Sequence, residues 1–205
     1  MRTDPLTDNR PAAAALAGVS GNHLLKLARA SIACALGQRM EVTAEAAEDA
    51  ALQSPGACFV TLTQRGQLRG CIGSLQARRS LLADVQANAV AAALEDTRFA
   101  PLTLKELPVT DIEVSVLSPM QPMHFASEAD ALAQLRPGVD GVVFEFGRYR
   151  STFLPQVWEQ LPDPRDFMAH LKRKAGLSAD FWDAQVRLQR YTVHPWHEHP
   201  STGRP

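Results

Sequence analysis

At two places the sequence joins β-prone runs through turns too short to cross a sheet, and this confines the fold more than any other feature. Ala57 to Thr63 is rich in β-branched and aromatic residues, Gln64-Arg65-Gly66-Gln67 reads as a turn, and Leu68 to Gly73 reads as the returning strand. Gly141–Phe146 and Tyr149–Leu154 flank Gly147-Arg148 in the same way. Joins this tight connect only antiparallel neighbours. Thr110 to Leu117 adds a strand in which Ile112, Val114 and Val116 share one face, and Asp111, Glu113 and Ser115 the other. Gln185 to Val193 reads as a late strand. Helical spacing recurs at Leu25, Ala28, Ile32 and Leu36, after a cap at Ser20 or Asn22 and before Gly37. It recurs at Leu82, Val85, Ala89 and Ala92 behind Ser80, where the many alanines allow close packing on a sheet. It recurs again over Glu128 to Leu135, and at Phe167, Leu171 and Ala175 between Asp163-Pro164 and Gly176. Thr43 to Leu52 is expected to form a further, mostly solvated helix. Helices of varied size without a regular βα repeat give an α+β fold, with a mainly antiparallel sheet flanked by helices.

Composition narrows the functional classes. The 205 residues include 45% hydrophobic ones, enough for one sizeable core. Residues 1–20 are expected to be a mobile leader, 21–195 the folded domain and 196–205 a mobile tail. With 21 Lys and Arg against 22 Asp and Glu, the net charge of -1 argues against sequence-blind nucleic-acid binding. Cys34, Cys58 and Cys71 form no Cys-x-x-Cys pair, which suits a reducing compartment. No apolar run approaches the roughly 20 residues that span a bilayer, and the polar start lacks the pattern of a signal peptide. The expected location is the cytoplasm, with no membrane partner. No Gly-x-Gly-x-x-Gly, Walker loop or Gly-x-Ser-x-Gly is present.

The segment richest in chemistry is Leu68-Arg69-Gly70-Cys71-Ile72-Gly73. Alternation along a strand places Arg69 beside Cys71, where a guanidinium favours the thiolate. Gly70 and Gly73 leave room for a backbone or a ligand. Cys71 and Arg69 are therefore the candidate catalytic pair. The other reading is a small buried thiol in a glycine-kinked strand. Asp96 and Arg98 close the alanine-rich helix and anchor the next loop or line a cleft. Glu113 lies on the polar face of its strand, as a ligand group or a solvated one. His124 sits in a Pro-rich loop from which it reaches the sheet or stays exposed. Lys172, with Arg148 and Arg150, is the candidate basic groove for RNA. His197, Glu198 and His199 have metal-binding side chains in a spacing that matches no defined site, so no metal is assigned.

Leu68-Arg69-Gly70-Cys71-Ile72-Gly73-Ser74 resembles the hallmark motif of the AMMECR family. Matches follow in order at Asp96-Thr97-Arg98-Phe99-Ala100-Pro101-Leu102, Glu113-Val114-Ser115-Val116-Leu117-Ser118, Thr152-Phe153-Leu154-Pro155-Gln156-Val157-Trp158 and Lys174-Ala175-Gly176-Leu177. The resemblance implies a single domain of two lobes over 21–195, the larger with an antiparallel sheet and the smaller a second α/β lobe. It implies a role beside a Memo-like protein and a radical S-adenosylmethionine (radical SAM) protein, as component A of the AmmeMemoRadiSam system, together with an unknown small molecule. The motif residues Arg69, Gly70, Cys71 and Gly73, with Asp96 and Arg98, are the positions it marks. The family's activity is not settled, so the resemblance supplies neither reaction nor cofactor, and it leaves open whether the chain is an enzyme. A non-catalytic adaptor, with an apolar patch near Phe153, Leu154 and Trp158, and an RNA-associated regulator are the alternatives. The family's last strand ends in an aromatic residue and a glutamate, where this chain has Val193-His194-Pro195-Trp196-His197-Glu198.

Overall fold

The computed structural model describes residues 20–38 and 49–198. They fall into two compact units, one from residues 20–38, 49–117 and 194–198, the other Ser118–Val193. The first unit contains α1 (Gly21–Ala35), the single turn α2 (Ala50–Gln53), β1 (Pro55–Gly56), β2 (Cys58–Gln64), β3 (Gln67–Gly73), β4 (Arg79–Ser80), α3 (Leu81–Leu94), β5 (Asp111–Leu117) and the last strand, β10 (Val193–His197). Its main sheet has the order β10-β5-β2-β3, and β1 pairs with β4 beside it. The strands β2 and β3 form the expected antiparallel hairpin, and β2 is also antiparallel to β5. Val60, Leu62, Ile112 and Val114 are fully or almost fully buried under Leu24, Ala28 and Ile32 of α1 and Val85, Ala89 and Ala92 of α3. Alternation in β2 and β5 thus produces one dry face beneath two helices and one polar face turned away from them.

The second unit contains β6 (Gln121–Pro122), α4 (Glu128–Gln134), β7 (Gly141–Phe146), β8 (Tyr149–Phe153), α5 (Pro164–Lys174) and β9 (Arg187–Tyr191). Its sheet has the order β6-β9-β7-β8, all antiparallel. The α5 start follows its sequence signal, since the Asp163 side chain accepts from Arg165 N–H and Pro164 occupies the first turn. Phe144, Phe167, Met168 and Leu171 are completely buried. Trp158 stacks on Phe167 with ring centroids 3.7 Å apart, and its Nε1 donates to the Asp140 carbonyl at 2.6 Å. Phe153 packs edge-on against the same Phe167. Of the apolar patch expected near Phe153, Leu154 and Trp158, Trp158 is core, while Phe153 and Leu154 are half-buried, because the two rings pack on Phe167 in the interior of a small unit.

One expectation falls largely outside the described residues, and three change. The helix expected at 43–52 falls largely on residues 39–48, outside the described residues; Ala50–Gln53 is its helical remainder, capped by Asp49. Ser20 occupies the N-cap position of α1 but makes no side-chain cap bond. The late strand breaks at Thr192, so that β9 joins the second sheet and β10 joins the first. Residues 196 and 197 of the expected tail thus belong to a strand, while 199–205, like residues 1–19 of the expected leader, lie outside the described residues. Trp196 lies where any side chain on Gly21 would be, with its ring 1.8 Å from the Cβ position. Glu198 takes Arg29 in a bidentate ion pair and accepts from Ile112 N–H at 3.1 Å. Arg29 also donates to the Leu107 and Thr110 carbonyls at 2.9 and 2.7 Å. These partners lie 78 to 169 positions away from Arg29, which is why local patterning does not reveal them.

Gly70 sets how closely α3 approaches the sheet. A Cβ there would sit 2.1 Å from the Ala92 carbonyl oxygen, a backbone atom that cannot swing aside. Gly70→Ala is expected to destabilise the protein by about 2 kcal/mol, the scale of overpacking a tight core contact. Urea unfolding checks this, and an unchanged midpoint would show that α3 floats more freely than the contact implies.

Candidate functional site on the edge of the first sheet

The Arg-Gly-Cys-Ile-Gly segment forms β3, the edge strand of the first sheet. Leu62 pairs with Gly70 and Thr63 with Leu68, so Arg69 is skipped and forms a β-bulge. A bulge interrupts side-chain alternation and re-aims the extra residue. Arg69 accordingly turns to the loop after α3. Its Nη1 donates to the Ala100 carbonyl at 2.8 Å, and its Nε and Nη2 each reach Glu106 Oε1 at 3.2 Å. Cys71 finds a different partner, the Thr61 hydroxyl, which donates to its sulfur at 3.4 Å. Alternation alone placed Arg69 beside Cys71; the bulge diverts its guanidinium to Glu106.

Asp96 and Arg98 hold the other side of Cys71. Asp96 Oδ2 accepts from Cys71 N–H at 2.9 Å, and Arg98 Nη2 donates to the Cys71 carbonyl at 3.3 Å. Two groups that an edge strand would leave open are thus occupied, as a neighbouring strand would occupy them. Within the pair, Arg98 Nε and Nη2 donate to Asp96 at 2.9 and 2.6 Å. Asp96 is only 6% exposed, yet the Arg98 hydrogen bonds outweigh that burial, with help from the Cys71 and Arg98 N–H groups. Its carboxyl is held well below the usual carboxylate range. Arg98 is driven upward, first by the Asp96 hydrogen bond and then by the Asp96 charge. Arg98 is therefore a cation held against the Cys71 carbonyl. Its side chain is 55% exposed.

A buried polar network lies behind the other end of the motif. Asp84 accepts from Cys58 N–H, Ser74 Oγ, Arg79 Nε and Asn88 Nδ2 at 2.8 to 2.9 Å, while Asn88 also donates to the Cys58 carbonyl at 3.0 Å. Cys58 is fully buried, and that burial pushes its thiol far above the ordinary range. It is a structural cysteine. Gly73 faces Phe59, whose ring would lie 2.2 Å from an added Cβ, so the space beside this glycine is taken by protein.

Glu113 is on the outward face of β5, opposite Thr61, and its Oε2 lies 3.2 Å from His197 Nδ1. His124 is in the second unit, exposed, with its carbonyl bound by Gln134 Nε2 at 2.9 Å. Lys172 is 2% exposed and spent on Glu128 and the Phe181 carbonyl, and Arg150 pairs with Glu145, so these two cations are already engaged within the unit. Glu198, named with His197 and His199 as having metal-binding side chains, is turned to Arg29; His199 lies outside the described residues. Among the described residues no three metal-binding side chains gather. Sequence reasoning missed Thr61, Asp84, Asn88 and Glu106 as partners of the motif, and His197 as the partner of Glu113. Two signals were there: Asp84 and Asn88 are spaced i, i+4 within an apolar helix, and Thr103-x-x-Glu106 has capping-box spacing. Thr103 N–H and Oγ both donate to Glu106 Oε2 at 2.8 Å.

The AMMECR1 family model matches residues 25–196. The chain is 40% identical over 142 residues to a protein of Methanothermobacter thermautotrophicus, covering 68% of this chain and 74% of that one. It is 36% identical over 145 residues to a protein of Methanocaldococcus jannaschii, covering 69% and 72%. The crystal structure of an uncharacterized protein from Pyrococcus horikoshii is similar with a TM-score of 0.73 and 30% identity, over 90% of this chain and 94% of that one.

Glu106 generates a pH prediction. Hydrogen bonds from Thr103, and then from Arg69, lower its pKa from an ordinary 4.5 to about 2. A depressed carboxylate contributes stability that is complete above its unfolded pKa and lost as pH falls through the folded value. Stability should therefore decline between pH 4.5 and 2, and Glu106→Gln should flatten that part of the curve. Chemical denaturation across this range measures it; equal slopes in both proteins would show that the pair is not formed in solution.

Proposed function

The chain belongs to the AMMECR1 family, and we propose that it is a cytoplasmic component of a radical-SAM-linked modification system, acting with a Memo-like protein through the Cys71 edge of its first sheet. One observation carries the reading: the Cys71 backbone is held on both its N–H and its C=O by Asp96 and Arg98, while the residue itself is only half-buried. A surface built only to stop strand addition needs no cysteine there. Fixing the backbone of an accessible thiol instead suits a residue that must meet a ligand or partner in one position.

The geometry favours contact over nucleophilic attack. A thiol nucleophile needs a base or a strongly stabilised thiolate. Among the described residues the hydrogen-bond partner of the sulfur is a hydroxyl, and Asp96 is committed to backbone and to Arg98. The chain presents the ligand or partner surface, and the radical chemistry belongs to the partner. No helix among the described residues is long and apolar enough to cross a membrane, in keeping with work alongside other soluble proteins.

In a Cys34→Ser background, iodoacetamide at pH 7 should modify Cys71 and leave buried Cys58 untouched, as read by peptide mass mapping. Tagged protein recovered from its native host should carry the Memo-like and radical SAM proteins, and alkylated or Arg98→Ala protein should lose them. An inert Cys71 in the folded chain, or consistent absence of both partners from the unmodified protein, overturns the proposal.

A further inference from the structure

We propose that the outward face of the first sheet binds a linear small molecule ending in a protonated amine or guanidinium group, lying across the strands between Cys71 and His197. The inference deepens the reading of Cys71 as a contact residue and rests on it.

Four side chains, one from each strand, form a row. Cys71 of β3 is opposite Thr61 of β2, Thr61 is opposite Glu113 of β5, and Glu113 meets His197 of β10. At about 4.8 Å per strand, the backbones of Cys71 and His197 are roughly 14 Å apart. That separation forbids a cysteine–histidine catalytic pair and suits an extended ligand.

The hydrogen bonds within the row set what it can recognise. Thr61 spends its proton on Cys71 at 3.4 Å, and Ser115 spends its own on Glu113 Oε1 at 2.6 Å. Nδ1 of His197 faces Glu113 Oε2 at 3.2 Å. What remains outward is the acceptor capacity of the Thr61 and Glu113 lone pairs. Asp111, paired with Thr63 on the same face, adds a second carboxylate, whose charge also acts on Arg29, so Glu113 is the principal anion of the row. The guanidinium nearest in sequence, Arg69, is diverted by the bulge to Glu106 and does not neutralise the row. A ligand that donates hydrogen bonds and carries positive charge complements this surface. Arg98 at the Cys71 end fixes the direction, with the cationic end toward Glu113 and Asp111.

The row is also held in place before any ligand arrives. His197 is 62% exposed, but its neighbour Glu198 is locked by Arg29 and Ile112. The imidazole is therefore presented from an anchored strand, which reduces the ordering cost of binding.

4-Aminobutan-1-ol, a linear monocation, titrated into the isotopically labelled full-length protein and followed by amide NMR, tests the idea, with 1,4-butanediol as the uncharged control and an arginine-containing tripeptide as the protein-borne alternative. Saturable shifts at Thr61, Glu113 and His197 are expected with the amine and not with the diol. Glu113→Gln should weaken binding about tenfold, the loss of one charge-assisted contact. Matching shifts with the diol, no saturation with the amine, or unchanged affinity in Glu113→Gln overturns the proposal. Tighter binding of the tripeptide overturns the small-molecule assignment. The result is separable from the parent reading: a reactive Cys71 that recruits its partners without amine binding sinks only this inference.

Discussion

Asp96, buried and ionised, does for β3 what another strand would do. It takes the outward N–H of Cys71 while Arg98, bound to the same carboxylate, reaches the carbonyl. The arrangement is stable because the carboxylate has an opposite charge and two backbone donors to replace water. Remove that anchor and the edge is free to fray or to pair with another chain, and the thiol loses its fixed position. The Thr61 contact, the row beyond it and the access to the sulfur all presuppose a β3 that stays where Asp96 holds it.

The opposite end of the motif is secured by different means. Ser74 and the start of β2 are tied to α3 through Asp84 and Asn88, deep in the unit. Gly70 lets α3 lie against the strand in between. The motif is therefore held at both ends and pressed from behind, leaving its outward face as the accessible part. Its two glycines serve protein packing, against Ala92 and Phe59, so the sequence-level idea that they make room for a ligand gives way to close approach within the fold.

Local patterning made much of this legible. The hairpin turns, the alternation in β5, the proline-started α5 and the alanine-rich α3 are all consequences of neighbours a few positions apart, and they were readable for that reason. The bulge at Arg69 was not, because it depends on pairing with β2 and is invisible to a simple count of alternate residues. Nor was the role of the tail: Glu198 is fixed by Arg29, 169 positions earlier, and nothing near Glu198 announces it. Asp96 and Arg98 were picked out as a pair from their spacing, but their hold on Cys71 required coordinates. In each miss, a distant partner outweighed a local rule.

The chain leaves the first unit after β5, builds the whole second unit, and only then returns through β10. During synthesis the first sheet must wait, with β5 lacking its neighbour, until the whole second unit and β10 have emerged. At the usual pace of translation, roughly 5 to 20 residues per second, that is an interval of several seconds in which an unfinished sheet edge is available to other chains. The Trp196 and Glu198 contacts are thus the closing fastener of the first unit, and a chain cut off just short of them leaves that unit without its last strand.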